Sequence, residues 1–483
     1  MDAQKQEQRS YWRWSMQDFF PEASFVSFAS YRTALSQTCP RLRDRLLDRS
    51  TQSKELVELR KQSENDMKRC LSWWDLVWLC FGSVVGSGIF VITGQEAHDH
   101  AGPAIVLSYA VSGLSALLSA FCYTEFAVEI PVAGVIVLII AIGFSRGHVS
   151  NLVPVFPHGA SGVFTAAAIV YWSYTGFDMV ATMAEETKMP SRDIPIGLAG
   201  SMAVITVIYC LMALALTMMQ KYTEIDRDAA YSVAFSRIGM KWAKYVISIC
   251  ALKGMTTSLL VGALGQARYM TQIARAHMIP PWFALVHPKT SAPINATLLI
   301  TVLSAVVAFF SSLDVLSSVF SFSTLLIFML VAIALLVRRY YVKGETPKSD
   351  LRKFLVSLFV IVASCVGGTA VWRSNTGGWI GYTVADVFWF LGTLGMQLLP
   401  QRRAPQLWGI PLVPYLLSLS IGMNIFLIGS LGSKAFWRFL ICTAVMILYY
   451  LLVGLHAIYD VAYHIAQQSK VEDGKENVDR GMS

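Results

Sequence analysis

Charge is scarce in this chain. Only 14% of its residues are Asp, Glu, Lys or Arg, and 55% are hydrophobic, whereas a soluble globular protein carries about a quarter charged residues. A water-soluble globular fold is therefore excluded. Cysteine is scarce as well: eight residues, with no CxxC pair and no histidine partner at metal-ligand spacing, so neither a disulfide framework nor a metal site is expected. Cys80, Cys122, Cys210, Cys250, Cys365 and Cys442 fall inside apolar runs and read as packing residues. The sequence has no phosphate-cradling P-loop, no HExxH and no GxSxG with matching partners. These gaps remove ATP-driven transport by this chain and the hydrolase classes, and the reading is of a non-enzyme without a cofactor. The first apolar stretch comes too late for a cleavable leader.

What the sequence has is long apolar runs. Stretches of about 17 to 25 residues are the unit that crosses a bilayer. They fall near 73–94, 104–130, 163–184, 196–219, 242–267, 294–310, 315–337, 354–372, 379–399, 412–431 and 436–458. A further run, Val132–Phe144, is short: at 1.5 Å per residue it covers roughly 20 Å of the ~30 Å hydrocarbon core. Counting it as a crossing gives about 12 membrane segments and puts most of the 39 Lys and Arg on the side of the N-terminus, which the positive-inside rule makes cytoplasmic. Loops 185–195, 268–292 and 338–353 should then face the cytoplasm. Cysteine labelling from outside intact cells is expected to miss Lys343→Cys, and efficient labelling there would overturn the orientation. The net charge of +8 is thereby read as membrane topology and not as nucleic-acid binding.

Three regions follow: a cytoplasmic N-terminal region at 1–70, a transmembrane domain at 71–465 and a polar tail at 466–483, disordered by composition. Tyr11, Trp12, Trp14, Phe19 and Phe20 in the first region read as a flexible tail or a membrane-surface contact.

Two spans interrupt themselves. Gly82-Ser83-Val84-Val85-Gly86-Ser87-Gly88-Ile89-Phe90 places three glycines within seven residues, each costing roughly 1 kcal/mol relative to Ala in a helix interior. Close packing through small residues is one account of Gly82-x-x-x-Gly86. The other is an unwound segment lining a solute site, since irregular backbone survives in a bilayer only where it lines a cavity or is packed by protein. The second interruption is Tyr171-Trp172-Ser173-Tyr174-Thr175-Gly176-Phe177-Asp178. The start of one half-helix offers N–H groups to a carboxylate, and the end of another offers carbonyls to an ammonium. Together such breaks can hold an α-amino acid zwitterion. Asp178, a carboxylate inside a span beside a break, is a gating or coupling candidate or a structural hydrogen bond. Lys253 is another candidate. It lies eleven residues into its span, roughly 16 Å along a helix, and should be a paired cation facing the protein interior. Glu125, Glu129 and Pro131 suggest a polar hairpin at an inner helix end.

These residues carry a resemblance. Gly86-Ser87-Gly88-Ile89-Phe90 resembles the first helix of the amino acid–polyamine–organocation superfamily. Cys122-Tyr123-Thr124-Glu125-Phe126-Ala127 through Gly134, Tyr174-Thr175-Gly176-Phe177-Asp178 with Ala184-Glu185-Glu186, and Gly265-Gln266-Ala267-Arg268-Tyr269-Met270 are similar to the plant form of the cationic amino acid transporters. The likeness covers nearly all of 70–465. It implies an all-α polytopic membrane protein with a leucine-transporter-like inverted-repeat core plus four further helices. It also implies a secondary carrier of basic amino acids such as arginine and lysine, proton-coupled or facilitative. The expected membrane is the plasma membrane, with a vacuolar or other endomembrane as the alternative; oligomeric state stays open. By this likeness Gly86, Ser87, Gly88 and Ile89 would receive the substrate carboxylate and amino group, and Tyr174, Thr175, Gly176 and Phe177 would form the facing wall.

The chain also departs from that family. There the Pro-Val-Ala-Gly stretch leads into a third and fourth span and a complete fifth. Here Gly134 passes directly into Val135–Phe144 and the outer loop at 145–162, so about two and a half spans are absent and the core is truncated. Two functions stay open: a carrier, or a transport-inactive form that associates with longer carriers. A channel fits less well, because no pore-loop repeat or charge ring is present.

Overall fold

The computed structural model describes residues 19–45, 72–73, 77, 80, 84–85, 88–120, 133–177, 187–287, 293–342, 345–374, 379–403 and 409–462. The polar hairpin expected at Glu125–Pro131, together with Gly86, Ser87 and Asp178, lies outside them. Among the described residues the protein is helical throughout, without strands. Besides a single α-helical turn at Thr93–Glu96, its α-helices are α1 (Phe28–Ser36), α2 (Thr38–Arg43), α3 (Ile105–Ala120), α4 (Ala133–Arg146), α5 (Gly159–Val170), α6 (Pro190–Met219), α7 (Ala230–Arg237), α8 (Lys241–Arg275), α9 (Ile294–Phe310), α10 (Leu313–Tyr340), α11 (Lys348–Ser374), α12 (Trp379–Gln397), α13 (Tyr415–Ser430) and α14 (Ser433–Tyr449). Six described stretches are long and apolar enough to cross a membrane: Gly88–Leu117, Arg192–Met219, Lys241–Arg275, Val315–Tyr340, Lys348–Ser374 and Ser433–Ala462. The first of these turns at Gly102, whose φ of 59° is open to glycine at no steric cost, so the runs expected near 73–94 and 104–130 remain distinct.

The chain groups into two compact units, 68–262 with 311–439, and 1–67 with 263–310 and 440–483. In the larger unit, polar and small residues set the helix contacts. Lipid gives apolar faces no reason to leave it, so close approach and interhelical hydrogen bonds decide which helices meet. Ser108 of α3 donates to the Val163 carbonyl of α5 (2.9 Å), and Ser112, one turn on, donates to Ala167. Gly113 of α3 meets Thr206 of α6 so closely that a Cβ there would lie 2.4 Å from the threonine Cγ2. The short segment forms α4, 14 residues long. It runs parallel to α6, with Gly143 against Ala215 and the His148 N–H donating to the Met218 carbonyl (2.9 Å). α10 packs on α13, and α11 on both α12 and α13. Arg338 and Arg339 sit in the last turn of α10, where a cation complements the helix dipole.

In the smaller unit residues 19–45 are packed, which corrects the flexible tail for Phe19 and Phe20; Tyr11, Trp12 and Trp14 lie outside the described residues. Phe19 stacks on Trp282 with ring centroids 4.9 Å apart. Glu22 pairs with His277 (2.6 Å), the Ser24 N–H donates to Asp460 (2.7 Å), and Arg41 pairs with Asp460 (3.1 Å) while lying over the Tyr459 ring. His456 joins the cluster, with its Nε2 3.2 Å from the Thr38 hydroxyl. Both Arg41 and Asp460 are largely shielded from solvent, so the pair is worth more than an exposed ion pair. Arg41→Ala is expected to make trypsin cleavage at Arg32 about tenfold faster or more, because removing one partner leaves a shielded charge unmatched. An unchanged cleavage rate would mean that the ion pair does not hold α1 and α2 in place.

Candidate functional site

Both interruptions expected from the glycines occur in the larger unit, and they meet. The first helix bends at Val85 and resumes at Gly88 in wide turns through Ile92. α5 tightens into a 3-10 turn at Tyr171–Tyr174 and then stops. Thr175 is extended (φ −67°, ψ 148°), and Gly176 has φ 117°, a conformation that L side chains rarely adopt. Gly88 lies directly on this second break. A Cβ built there would sit 2.4 Å from Ser173 Cβ and 2.5 Å from Ser173 Cα. Only the absence of a side chain allows the two backbones to approach so closely.

Unwound carbonyls in a bilayer must find donors, and tyrosines and a threonine supply them. The Tyr209 hydroxyl, from α6, donates to the Val84 carbonyl (2.9 Å) and lies 3.3 Å from the Ser173 carbonyl. It therefore ties the two breaks together. The Thr93 hydroxyl donates to the Ile89 carbonyl (2.6 Å). The Tyr109 hydroxyl, from α3, lies within reach of both Thr93 Oγ1 (2.7 Å) and the Gly88 carbonyl (3.3 Å). Tyr174 donates in turn to the Tyr109 carbonyl (3.0 Å). The rings of Tyr109, Tyr174 and Tyr209 pack with centroids 5.1 to 6.3 Å apart, and all three are fully buried.

Among the expected substrate residues, Gly88, Ile89, Tyr174 and Phe177 are buried at or beside this crossing, and Thr175 and Gly176 are half-buried. Phe177 packs on Phe328 of α10 (4.9 Å). Lys253 is elsewhere. Its side chain is exposed on α8, and among the described residues no carboxylate pairs with it. The expectation of a paired, inward-facing cation is therefore corrected. α8 turns little of its apolar window inward: 12% of that window is buried, and Tyr245, Ile249 and Leu252 are exposed beside the lysine.

Sequence reasoning missed Tyr109, Thr93 and Tyr209. The available signal was a hydroxyl in the middle of an apolar run, which needs a partner in hydrocarbon. It also missed Glu96, buried beyond the first break with a carboxylate oxygen 2.9 Å from His100 Nδ1.

The comparisons agree with this architecture. The amino acid permease family model matches residues 71–146 and again 130–396, and the model for the C-terminus of such permeases matches 408–458. The chain is 58% identical to "Cationic amino acid transporter 8, vacuolar" and 54% identical to "Cationic amino acid transporter 5", both of Arabidopsis thaliana. Those alignments cover 96% of this chain and 96% of the relative in the first case, and 95% and 98% in the second. It is also 28% identical to the "Methylthioribose transporter" of Bacillus subtilis (strain 168), over 66% of this chain and 91% of that protein. The first alignment runs over 567 positions against a chain of 483 residues, so at least 84 positions of the relative face gaps here. The two permease matches overlap at 130–146, around the junction where the sequence passes from Gly134 to Val135. The relatives are transporters and not enzymes, and the apolar helices make this an integral membrane protein. By the extent of these matches, the chain belongs to the amino acid permease family of the amino acid–polyamine–organocation superfamily, alongside the plant cationic amino acid transporters.

Proposed function

We propose that the chain is built as a secondary carrier of cationic amino acids, arginine and lysine, held where the two interrupted helices cross. The observation that carries this reading is the contact of Gly88 with Ser173, which brings a resuming helix start and a helix end to one point. A helix start offers N–H groups and partial positive charge, and a helix end offers carbonyls. Gly86, Ser87, Gly88 and Ile89 would hold the substrate carboxylate, and carbonyls around Tyr174, Thr175, Gly176 and Phe177 the ammonium. Tyr109 and Tyr209 act as positioning residues that hold the unwound carbonyls. Asp178 is the candidate for coupling to protons, and in its absence movement would be facilitative. The relative named as vacuolar favours an endomembrane, with the plasma membrane as the alternative.

A second reading is favoured by α8. A lysine within an apolar helix, exposed and without a partner among the described residues, calls for cover that none of those residues gives it. A membrane protein that associates with a longer carrier would supply that cover. Arginine and lysine uptake in transport-deficient cells, by the chain and by a form carrying the relative's missing segment between Gly134 and Val135, separates the two. Saturable uptake by either form supports the carrier site, and background uptake by both, with co-purification of a longer family member, supports the associating form.

A further inference from the structure

Away from the helix crossing, α11, α12 and α13 enclose a cavity of about 370 Å³. Its walls form by helical spacing: Trp372 from α11, then Tyr382, Asp386 and Trp389 at i, i+4 and i+7 of α12, and Met423 and Phe426 from α13. No residue of the Gly88–Ser173 contact lines it.

Asp386 makes this cavity unusual. It lies seven residues past Trp379, roughly 10 Å along an apolar helix, where a carboxylate is costly unless matched. Its side chain is exposed at the cavity rim, and among the described residues no Lys, Arg or His pairs with it. Three of the other polar hydrogens around the cavity are already used. The Trp389 indole N–H donates to the Ser418 carbonyl (3.4 Å), and the Thr369 and Ser364 hydroxyls donate to carbonyls of their own helix (2.8 and 2.9 Å). The cavity thus presents one carboxylate, the Tyr382 hydroxyl and Cys365 thiol, aromatic faces and an otherwise apolar lining.

We propose that this cavity binds a hydrophobic amine dissolved in the bilayer, a long-chain base with a single ammonium group. The ammonium meets Asp386 in a charge-assisted hydrogen bond. Trp372, Tyr382 and Trp389 offer ring faces, which attract cations. The alkyl chain follows Met423 and Phe426 and leaves past Leu419, which is exposed at the rim. A cavity of this volume is of the size that holds a drug-sized molecule. A free amino acid does not suit it, since its carboxylate would face Asp386 and no described lining residue is basic.

The test uses the full chain in lipid nanodiscs with two photoreactive C16 probes in the lipid, one ending in an amine and one in an alcohol. Mass spectrometry of the labelled peptides locates them. The amine is expected to label peptides of α11–α13, and the alcohol is not. Asp386→Asn is expected to lower amine labelling about tenfold or more, the scale of one hydrogen bond to a charged group. Asp386→Glu should retain labelling, and its elution profile controls for folding. Equal labelling by amine and alcohol would overturn the proposal and leave a greasy cavity. Undiminished labelling of Asp386→Asn, or displacement of the amine by excess arginine, would overturn it as well.

Discussion

Gly88→Val is expected to break the junction on which the site depends. The new Cβ would lie 2.4 Å from Ser173 Cβ and 2.5 Å from its Cα, well inside the 3.5 to 4.0 Å at which carbon atoms are in favourable contact. The obstacle is backbone, so no rotamer relieves it. The two helices must separate, and Tyr209 then loses one of the carbonyls it lies between. Overpacking alone costs about 1–3 kcal/mol, and the buried carbonyls left without donors add to that. The measurement is the fraction of monodisperse protein surviving a temperature ramp in detergent, with arginine binding assayed in a full-length relative carrying the same change. Gly88→Ala paired with Ser173→Gly is informative, because Ser173 Cα remains too close even without its side chain. That double variant should stay defective. Wild-type stability and affinity in either variant would show that the approach is looser than described.

The second large effect concerns uptake. A pocket between broken helices needs walls on all sides, to exclude lipid and keep unwound backbone satisfied. Alternating access further needs one group of helices to rock against another around a fixed site. α4 is 14 residues long, and at least 84 positions of the vacuolar relative have no counterpart here. The chain expressed alone is expected to insert into membranes and take up arginine or lysine at background rate. Inserting the corresponding segment of that relative between Gly134 and Val135 should bring saturable, stereospecific uptake. Robust uptake without the insertion would show that the remaining helices close the pocket unaided. Failure with the insertion, in a form that folds, would count against the site itself.

Much of the architecture was legible because hydrophobic runs must match the bilayer and because glycine in an apolar run is a costly choice. Gly88 and Thr175–Gly176 announced the two breaks in this way, and the likeness to a known family said that they face each other. The tyrosines that hold the breaks were not legible. Tyr209 reaches a carbonyl 125 residues away, and periodicity reports only neighbours along one helix. Lys253 misled for a different reason. Depth along a span follows from the sequence, but the direction a residue faces depends on which helices are there to be faced. Asp386 was passed over because it lies near no break. Phe19 looked like part of a tail because its partners, Trp282 and Phe283, lie far along the chain.

The clasp on α1 and α2 has a consequence for how the protein is made. Ser24 and Arg41 leave the ribosome early, yet their common partner Asp460 lies 436 and 419 residues downstream. His456, which faces Thr38, is made equally late. The Asp460 contacts of Ser24 and Arg41 therefore cannot form until the membrane domain has been made, after the earlier contacts at His277 and Trp282 are available. A product stopped by a premature stop codon or frameshift before residue 456 keeps Arg41 unmatched and its basic segment accessible to cytoplasmic proteases.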